Sequence, residues 1–255
     1  MKEAAQALPE YSYMYLGDNA RAPYGSRGQD TIYRYTREGV QALFESGCEL
    51  VILACNTASG AALRRLQQEW LPATYPDRRI LGVIVPTAEE APALTQTKEI
   101  GILATEATVA SEVYVHEMAK HDKSITVFQQ ACPLLVPIIE AGEMEWEGLG
   151  MAIQKYLAAL FAQSRNIDMV ILGCTHYALI GDAIRDKLLW KVRLVSQGSI
   201  VAEKLKEYLA RHPELDARLE KRGRRLFYTT ERSARVEPLA RMFYGEPITV
   251  EYREL

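Results

Sequence analysis

The 255-residue chain contains no apolar run approaching the roughly 18 residues that a membrane-spanning helix needs, so no helical anchor is read in it. Its opening, MKEAAQALPE, has no apolar core of the kind a signal peptide carries, and the protein is expected in the cytoplasm. Neither sign of charge is in excess. With 30 Lys and Arg against 33 Asp and Glu, the net charge of −3 gives no reason to expect nucleic acid or an anionic membrane as a partner. The one basic cluster, RLEKRGRR at 218–225, follows a helical pattern and reads as a solvated turn. Only four cysteines occur (Cys48, Cys55, Cys132 and Cys174), and none forms a CxxC pair. They are too few and too scattered for a disulfide framework, so free thiols are expected and the question becomes which of them react.

What is present is ordinary for a globular protein: 48% hydrophobic and 25% charged residues exclude disorder and fibrous architectures. The length suits two small domains, each with its own core. Short apolar runs recur at 11–16, 50–55, 80–85, 100–105, 125–130, 169–174, 192–196 and 225–229, and they read as buried strands. Stretches with helical spacing at 30–47, 58–71, 107–121, 147–164 and 198–212 separate most of them. Alternation of this kind specifies an α/β fold with parallel sheets flanked by helices. The segment PTAEEAPALTQTK (86–98), with two prolines, is the expected boundary between two α/β units.

One pattern occurs twice. ELVILACNTA (49–58) and DMVILGCTHY (168–177) share an acid, an apolar residue, Val-Ile-Leu, a small residue, Cys and a polar pair. Each places a cysteine at the carboxyl end of a strand, the edge where open α/β sheets bind ligands. The following Asn56 and Thr57, or Thr175 and His176, supply polar side chains at a helix start, where free N–H groups hold carboxylates and favour a thiolate. A single such cysteine reads as packing, since free Cys is among the most buried residue types. The pair reads as two acid/base groups facing each other across a cleft and flanking one carbon of a small anion. Ala54 or Gly173 before each thiol permits a sharp turn or a close approach. A zinc site is disfavoured because Cys174 and His176 are the only close ligand pair, and a Cys174–His176 acyl-transfer pair leaves Cys55 unexplained. Cys48 and Cys132 lack the repeated context and read as structural or pocket-edge residues.

GDNARAPYGSR (17–27), ACNTAS (54–59), GVIVPTAEEA (82–91), ACPLLVPIIEAG (131–142) and GCTHYALI (173–180) resemble, in order and spacing, the glutamate racemases of the wider aspartate/glutamate racemase group. The resemblance covers nearly the whole chain. It implies two pseudo-symmetric α/β domains around a cleft, with residues 1–98 and about 208–255 in the first and 99–207 in the second. It further implies a homodimer, no metal and no cofactor, and interconversion of L- and D-glutamate to supply D-glutamate for peptidoglycan. By position, Cys55 and Cys174 match the two acid/base thiols, the first taking the proton from D-glutamate and the second from L-glutamate. Asn56, Thr57, Thr175 and His176 match substrate-binding residues, with His176 also assisting Cys174. Tyr24 and Gly25 match the loop that grips the substrate, although taken alone they read as a turn in which Gly25 allows a positive φ. Glu140 matches a carboxylate behind the site, and alone it reads as a helix-end charge. Aspartate racemization and a non-catalytic amino-acid-binding relative are the alternatives.

The family's usual opening strand and FDSGxGG loop are absent from this sequence. Two explanations compete, an internal methionine of a longer protein at Met1 or a true variant with weakened or no activity, and the first is the expectation. Without that strand, two neighbouring strands are expected to carry unpaired edges. Ala178, Thr87 and Ser196-Gln197 are smaller departures that read as subgroup variation.

Overall fold

A computed structural model describes residues 1–189 and 191–255. Helix α1 (Lys2–Ala7) leads into β1 (Tyr13–Gly17), a 3₁₀ turn (Asn19–Arg21), α2 (Gln29–Glu45) and β2 (Leu50–Leu53). Helix α3 (Asn56–Arg65) continues through a π-turn (Leu66–Trp70) into α4 (Leu71–Thr74) and is followed by β3 (Arg79–Gly82) and α5 (Ile84–Leu94). Then come β4 (Glu99–Ala104), α6 (Glu106–Ala110), α7 (Val113–His121), β5 (Thr126–Ala131), α8 (Leu135–Glu140) and α9 (Glu147–Gln163). Strand β6 (Met169–Gly173) runs into a 3₁₀ segment (Thr175–Ile180), α10 (Gly181–Arg185), β7 (Arg193–Val195) and α11 (Gln197–Arg211). The chain closes with α12 (Pro213–Asp216), β8 (Arg225–Thr229), α13 (Val236–Tyr244) and β9 (Glu251–Tyr252). Among the described residues no helix is long and apolar enough to cross a membrane.

Among the described residues every strand pair is parallel. One sheet has the order β5-β4-β6-β7, a second pairs β2 with β3, and a third runs β1-β8-β9. The C-terminal strands therefore return to β1 near the start of the chain, with Tyr13 beside Arg225 and Gly17 beside Thr229. Strands β1 and β2 each have a partner on one side only, among the described residues.

The four-stranded sheet is the better buried. All five residues of β6 are buried, as are the last five of β4, with α9 on one face and α5 and α7 on the other. Helix α9 turns Leu149, Ala152, Ile153, Tyr156, Leu157 and Leu160 inward, the three-and-four spacing of an amphipathic helix. Strand β2 packs with α2 and α3 through Val40, Phe44, Val51, Leu53, Ala62 and Leu66. A smaller cluster of Leu8, Tyr11, Leu205, Leu209 and Leu215 joins the chain's opening to α11.

One expectation needs correction, the strand over 80–85. Most of the segment 86–98 lies in α5, which buries Ile84, Thr87, Ala88 and Ala91. That spacing is helical, but small and hydroxyl side chains carry it weakly. Pro86 falls in the first turn, where the backbone N–H has no intrahelical partner to lose. Strand β3 accordingly ends at Gly82, and the apolar residues after it belong to the helix. Strand β9, two residues long, has no legible apolar pattern and exists through its pairing with β8.

Gly173 is required by packing. A Cβ there would sit 2.9 Å from Ile102 Cγ2 and 3.0 Å from the Leu103 carbonyl oxygen, part of a buried strand that cannot give way. Gly173→Ala is therefore expected to cost about 1–3 kcal/mol, the usual range for overpacking a core, read as a lower midpoint in urea denaturation. An unchanged midpoint would refute the close packing of β6 on β4.

Candidate active site

Cys55 and Cys174 both stand one or two residues past the end of a parallel strand, each as the N-cap of the helical segment that follows. Their settings differ. Strand β6 has neighbours on both sides and Cys174 is buried, whereas β2 has one neighbour and Cys55 is exposed. Burial, and after it the charge of Cys55, push the Cys174 thiol up to about 12, which places the two sulfurs within electrostatic reach. Cys55 is open to solvent on one side and crowded by protein on the others. That crowding raises its pKa, while the Ala58 and Thr57 backbone N–H groups and the Thr57 hydroxyl pull it back down. The helix N-termini thus favour the thiolates as anticipated, but desolvation outweighs them.

Each thiol has a distinct support. His176 Nδ1 lies 3.8 Å from Cys174 Sγ, and His176 Nε2 lies 3.0 Å from Glu140 Oε1 at the end of α8. With Nε2–H donated to the carboxylate, the neutral ring offers the Nδ1 lone pair to the Cys174 S–H. Phe243 of α13 meets the His176 ring edge to face, centroids 5.0 Å apart. Beside Cys55, the Thr57 hydroxyl lies 2.9 Å from Thr105 Oγ1 and 3.3 Å from Thr108 Oγ1, and those two are 2.9 Å from each other. Thr105 also caps α6, accepting from the Thr108 backbone N–H.

Asn56 is buried, with 2% of its surface exposed, and its Oδ1 accepts a 2.7 Å hydrogen bond from the Tyr114 hydroxyl. Its Nδ2 has no partner among the described residues. Thr175 is exposed at the edge of the same region. Tyr24 donates its hydroxyl to Asp18, which also accepts from Arg21 and from the Thr230 hydroxyl, so the loop carrying Tyr24 is braced against the end of β8. Gly25 does not have a positive φ, contrary to the turn reading. Its role is proximity: a Cβ would lie 2.8 Å from the Thr105 side chain, and its carbonyl accepts from the Ala107 backbone N–H at 2.9 Å. The loop is thereby docked on the start of α6.

The structure brings all nine predicted residues to one region formed by the ends of β2, β4 and β6 and the loop after β1. Sequence reasoning missed Thr105, Thr108, Tyr114, Gln197 and Asp18. Thr105 had a usable signal, a hydroxyl residue directly after an apolar strand and three residues before Thr108, at the same sheet edge as the cysteines. Cys132 is buried and its S–H points to the Gln130 carbonyl at 3.4 Å, as a packing residue. No group of three or more His, Cys, Asp or Glu side chains is disposed to hold a metal ion among the described residues.

The profile of the Asp/Glu/Hydantoin racemase family matches residues 1–205. The chain is 39% identical to the glutamate racemase of Phenylobacterium zucineum over 96% of its own length and 92% of the relative's. It is 41% identical to the glutamate racemase of Jannaschia sp. over the same shares, 96% and 92%. Among solved structures, it superposes on glutamate racemase isoform RacE1 from Bacillus anthracis with a TM-score of 0.88 and 29% identity, covering 99% of this chain and 91% of that one. A glutamate racemase from Francisella tularensis, solved in complex with D-glutamate, gives 0.86 and 26%, covering 100% and 91%.

Accessibility and pKa together predict the order of thiol alkylation. Iodoacetamide is expected to modify Cys55 before Cys132 and Cys174, with a Cys55 rate still rising above pH 9 because its pKa lies above that ordinary value. Peptide mapping by mass spectrometry reads the order, and equal rates at Cys55 and Cys174 would contradict the burial difference.

Proposed function

The chain belongs to the Asp/Glu/Hydantoin racemase family, and on that premise we propose that it interconverts L- and D-glutamate without metal or organic cofactor. The observation that carries the reading is the arrangement of Cys55 and Cys174 at the ends of two parallel strands, close enough for one charge to raise the other's pKa. The relatives carrying the name glutamate racemase support the choice of glutamate. In this reading the product supplies D-glutamate for peptidoglycan, and the enzyme works in the cytoplasm as a homodimer.

The proposed chemistry balances with two thiols and one proton on each side. The Cys55 thiolate removes the Cα proton of D-glutamate: the C–H bond breaks, an S–H bond forms, and the electron pair is held by the adjacent carboxylate. Cys174 then delivers its own S–H proton to the opposite face of the carbon. L-glutamate runs the same path backwards, with Cys174 as base and His176 drawing the proton from its sulfur. Asn56, Thr57 and Thr175 supply donors for the carboxylates, and the Tyr24-Gly25 loop closes over the substrate. Burial raises the pKa of both thiols, so the one that serves as base must first release its proton, Cys55 to solvent and Cys174 to His176.

Exchange of the Cα hydrogen in D₂O, followed by NMR together with the optical rotation, tests the reading. Wild-type protein should exchange and racemize glutamate much faster than aspartate. Cys55→Ser and Cys174→Ser should each lower racemization by about two to four orders of magnitude, the usual worth of a positioned acid or base. Because the reacting thiol must lose a proton from a raised pKa, kcat/KM should climb with pH into the alkaline range. Full racemization by either variant would sink the two-thiol assignment.

A further inference from the structure

Gln197, the first residue of α11, reaches into a buried polar chain that ends at Asn56. Its Nε2 lies 3.2 Å from the Val83 carbonyl oxygen, 3.0 Å from Thr87 Oγ1 and 2.8 Å from the Tyr114 hydroxyl. The Thr87 hydroxyl itself donates to the Val83 carbonyl, at 3.2 Å. A backbone carbonyl can only accept, and with its proton committed there the Thr87 oxygen also accepts. Only the NH₂ end of Gln197 suits this corner, its two hydrogens shared among three acceptors: the Val83 carbonyl, Thr87 Oγ1 and the Tyr114 oxygen. The reverse orientation would press Oε1 against the Val83 carbonyl at 3.2 Å, two acceptors with no proton between them. In the orientation shown, Oε1 is the end without a partner among the described residues.

The consequence passes along the chain. Tyr114 is completely buried, and desolvation raises its pKa so far that it keeps its single proton. With a lone pair of its oxygen taken by Gln197, that proton goes to Asn56 Oδ1, 2.7 Å away. Asn56 therefore has its oxygen engaged and its Nδ2 unpartnered, directly after Cys55. A carboxylate needs a donor and an ammonium needs an acceptor, so the direction of this chain decides which of them Asn56 recognises.

We propose that Gln197 is a positioning residue which, through Tyr114, fixes Asn56 as a hydrogen-bond donor to a carboxylate of the substrate. The proposal rests on the racemase reading of the site but concerns only the polarity of one contact. Gln197 and Tyr114 touch no substrate. They act by removing the alternative in which Asn56 offers its oxygen. The chain joins α3, α5, α7 and α11, so the polarity of a group beside Cys55 is set by a backbone carbonyl at the N-cap of a different helix.

The test uses Tyr114→Phe, Gln197→Met and the double variant in the full chain, each checked for an unchanged folded signal and melting temperature. Wild-type racemization of glutamate is measured first; its absence would reject the racemase reading rather than this one. Given activity, each single change should raise KM for glutamate, roughly tenfold for Tyr114→Phe, with a smaller change in kcat. The double variant should bind no worse than Tyr114→Phe alone, because Gln197 has no route to Asn56 once the hydroxyl is gone. Independent, additive losses would overturn the proposal, as would losses that track melting temperature. Neutron diffraction of the ligand-free protein gives an answer whatever the activity. A Tyr114 deuteron directed to Asn56 Oδ1 supports the proposal, and one directed to Gln197 overturns it.

Discussion

Thr57, Thr105 and Thr108 meet with their hydroxyls 2.9 to 3.3 Å apart, where the helix that follows β2 abuts the helix that follows β4. A hydroxyl gives one proton and accepts two, so three of them satisfy one another without water. Buried hydroxyls left unpaired cost about 1–3 kcal/mol each, so sliding the helices apart is penalised. Because Thr57 also contacts Cys55, and Gly25 packs on Thr105, this cluster sets where the exposed thiol and the Tyr24 loop stand relative to the four-stranded sheet. The rest of the site is built around that junction.

The two cysteines show how one local pattern acquires two characters. Both follow Val-Ile-Leu and a small residue, and both cap a helical segment. Cys174 sits at the end of a strand with neighbours on both sides and leans on His176, itself oriented by Glu140 and flanked by Phe243. Cys55 ends a strand with one neighbour and is served by backbone N–H groups and a hydroxyl. In the proposed racemization the two faces of the substrate carbon therefore meet thiols of equal chemistry and unequal surroundings. Asymmetry of that kind bears on which enantiomer is deprotonated more easily, while the equilibrium between mirror images stays fixed by symmetry.

Much of the fold was legible. Every predicted strand is present within a few residues, because β4 and β6 are continuous apolar runs and α9 carries a plain helical stripe. Helix α5 was not legible: one of its prolines sits in the first turn, and the buried face there is made largely of Ala and Thr, which score weakly as apolar. Of the site, Cys55, Asn56, Thr57, Cys174, Thr175 and His176 were visible through the repeat, and Tyr24, Gly25 and Glu140 through the family resemblance. Thr105 and Thr108 passed as an ordinary helix start. Tyr114 and Gln197 passed as an amphipathic helix residue and a departure from the usual sequence.

What the sequence determined by itself was local: strand and helix periodicity, the capping residues, and a thiol placed at the carboxyl end of two strands. These follow from backbone geometry and side-chain spacing within a few residues. Only the tertiary structure decided the burial of each thiol, the reason Gly25 must lack a side chain, and the direction of the hydrogen bonds from Gln197 to Asn56. Those depend on desolvation and on groups far apart in the chain. A donor's direction is settled by the partner that cannot change, here the Val83 carbonyl, and no local pattern says which residues will face it.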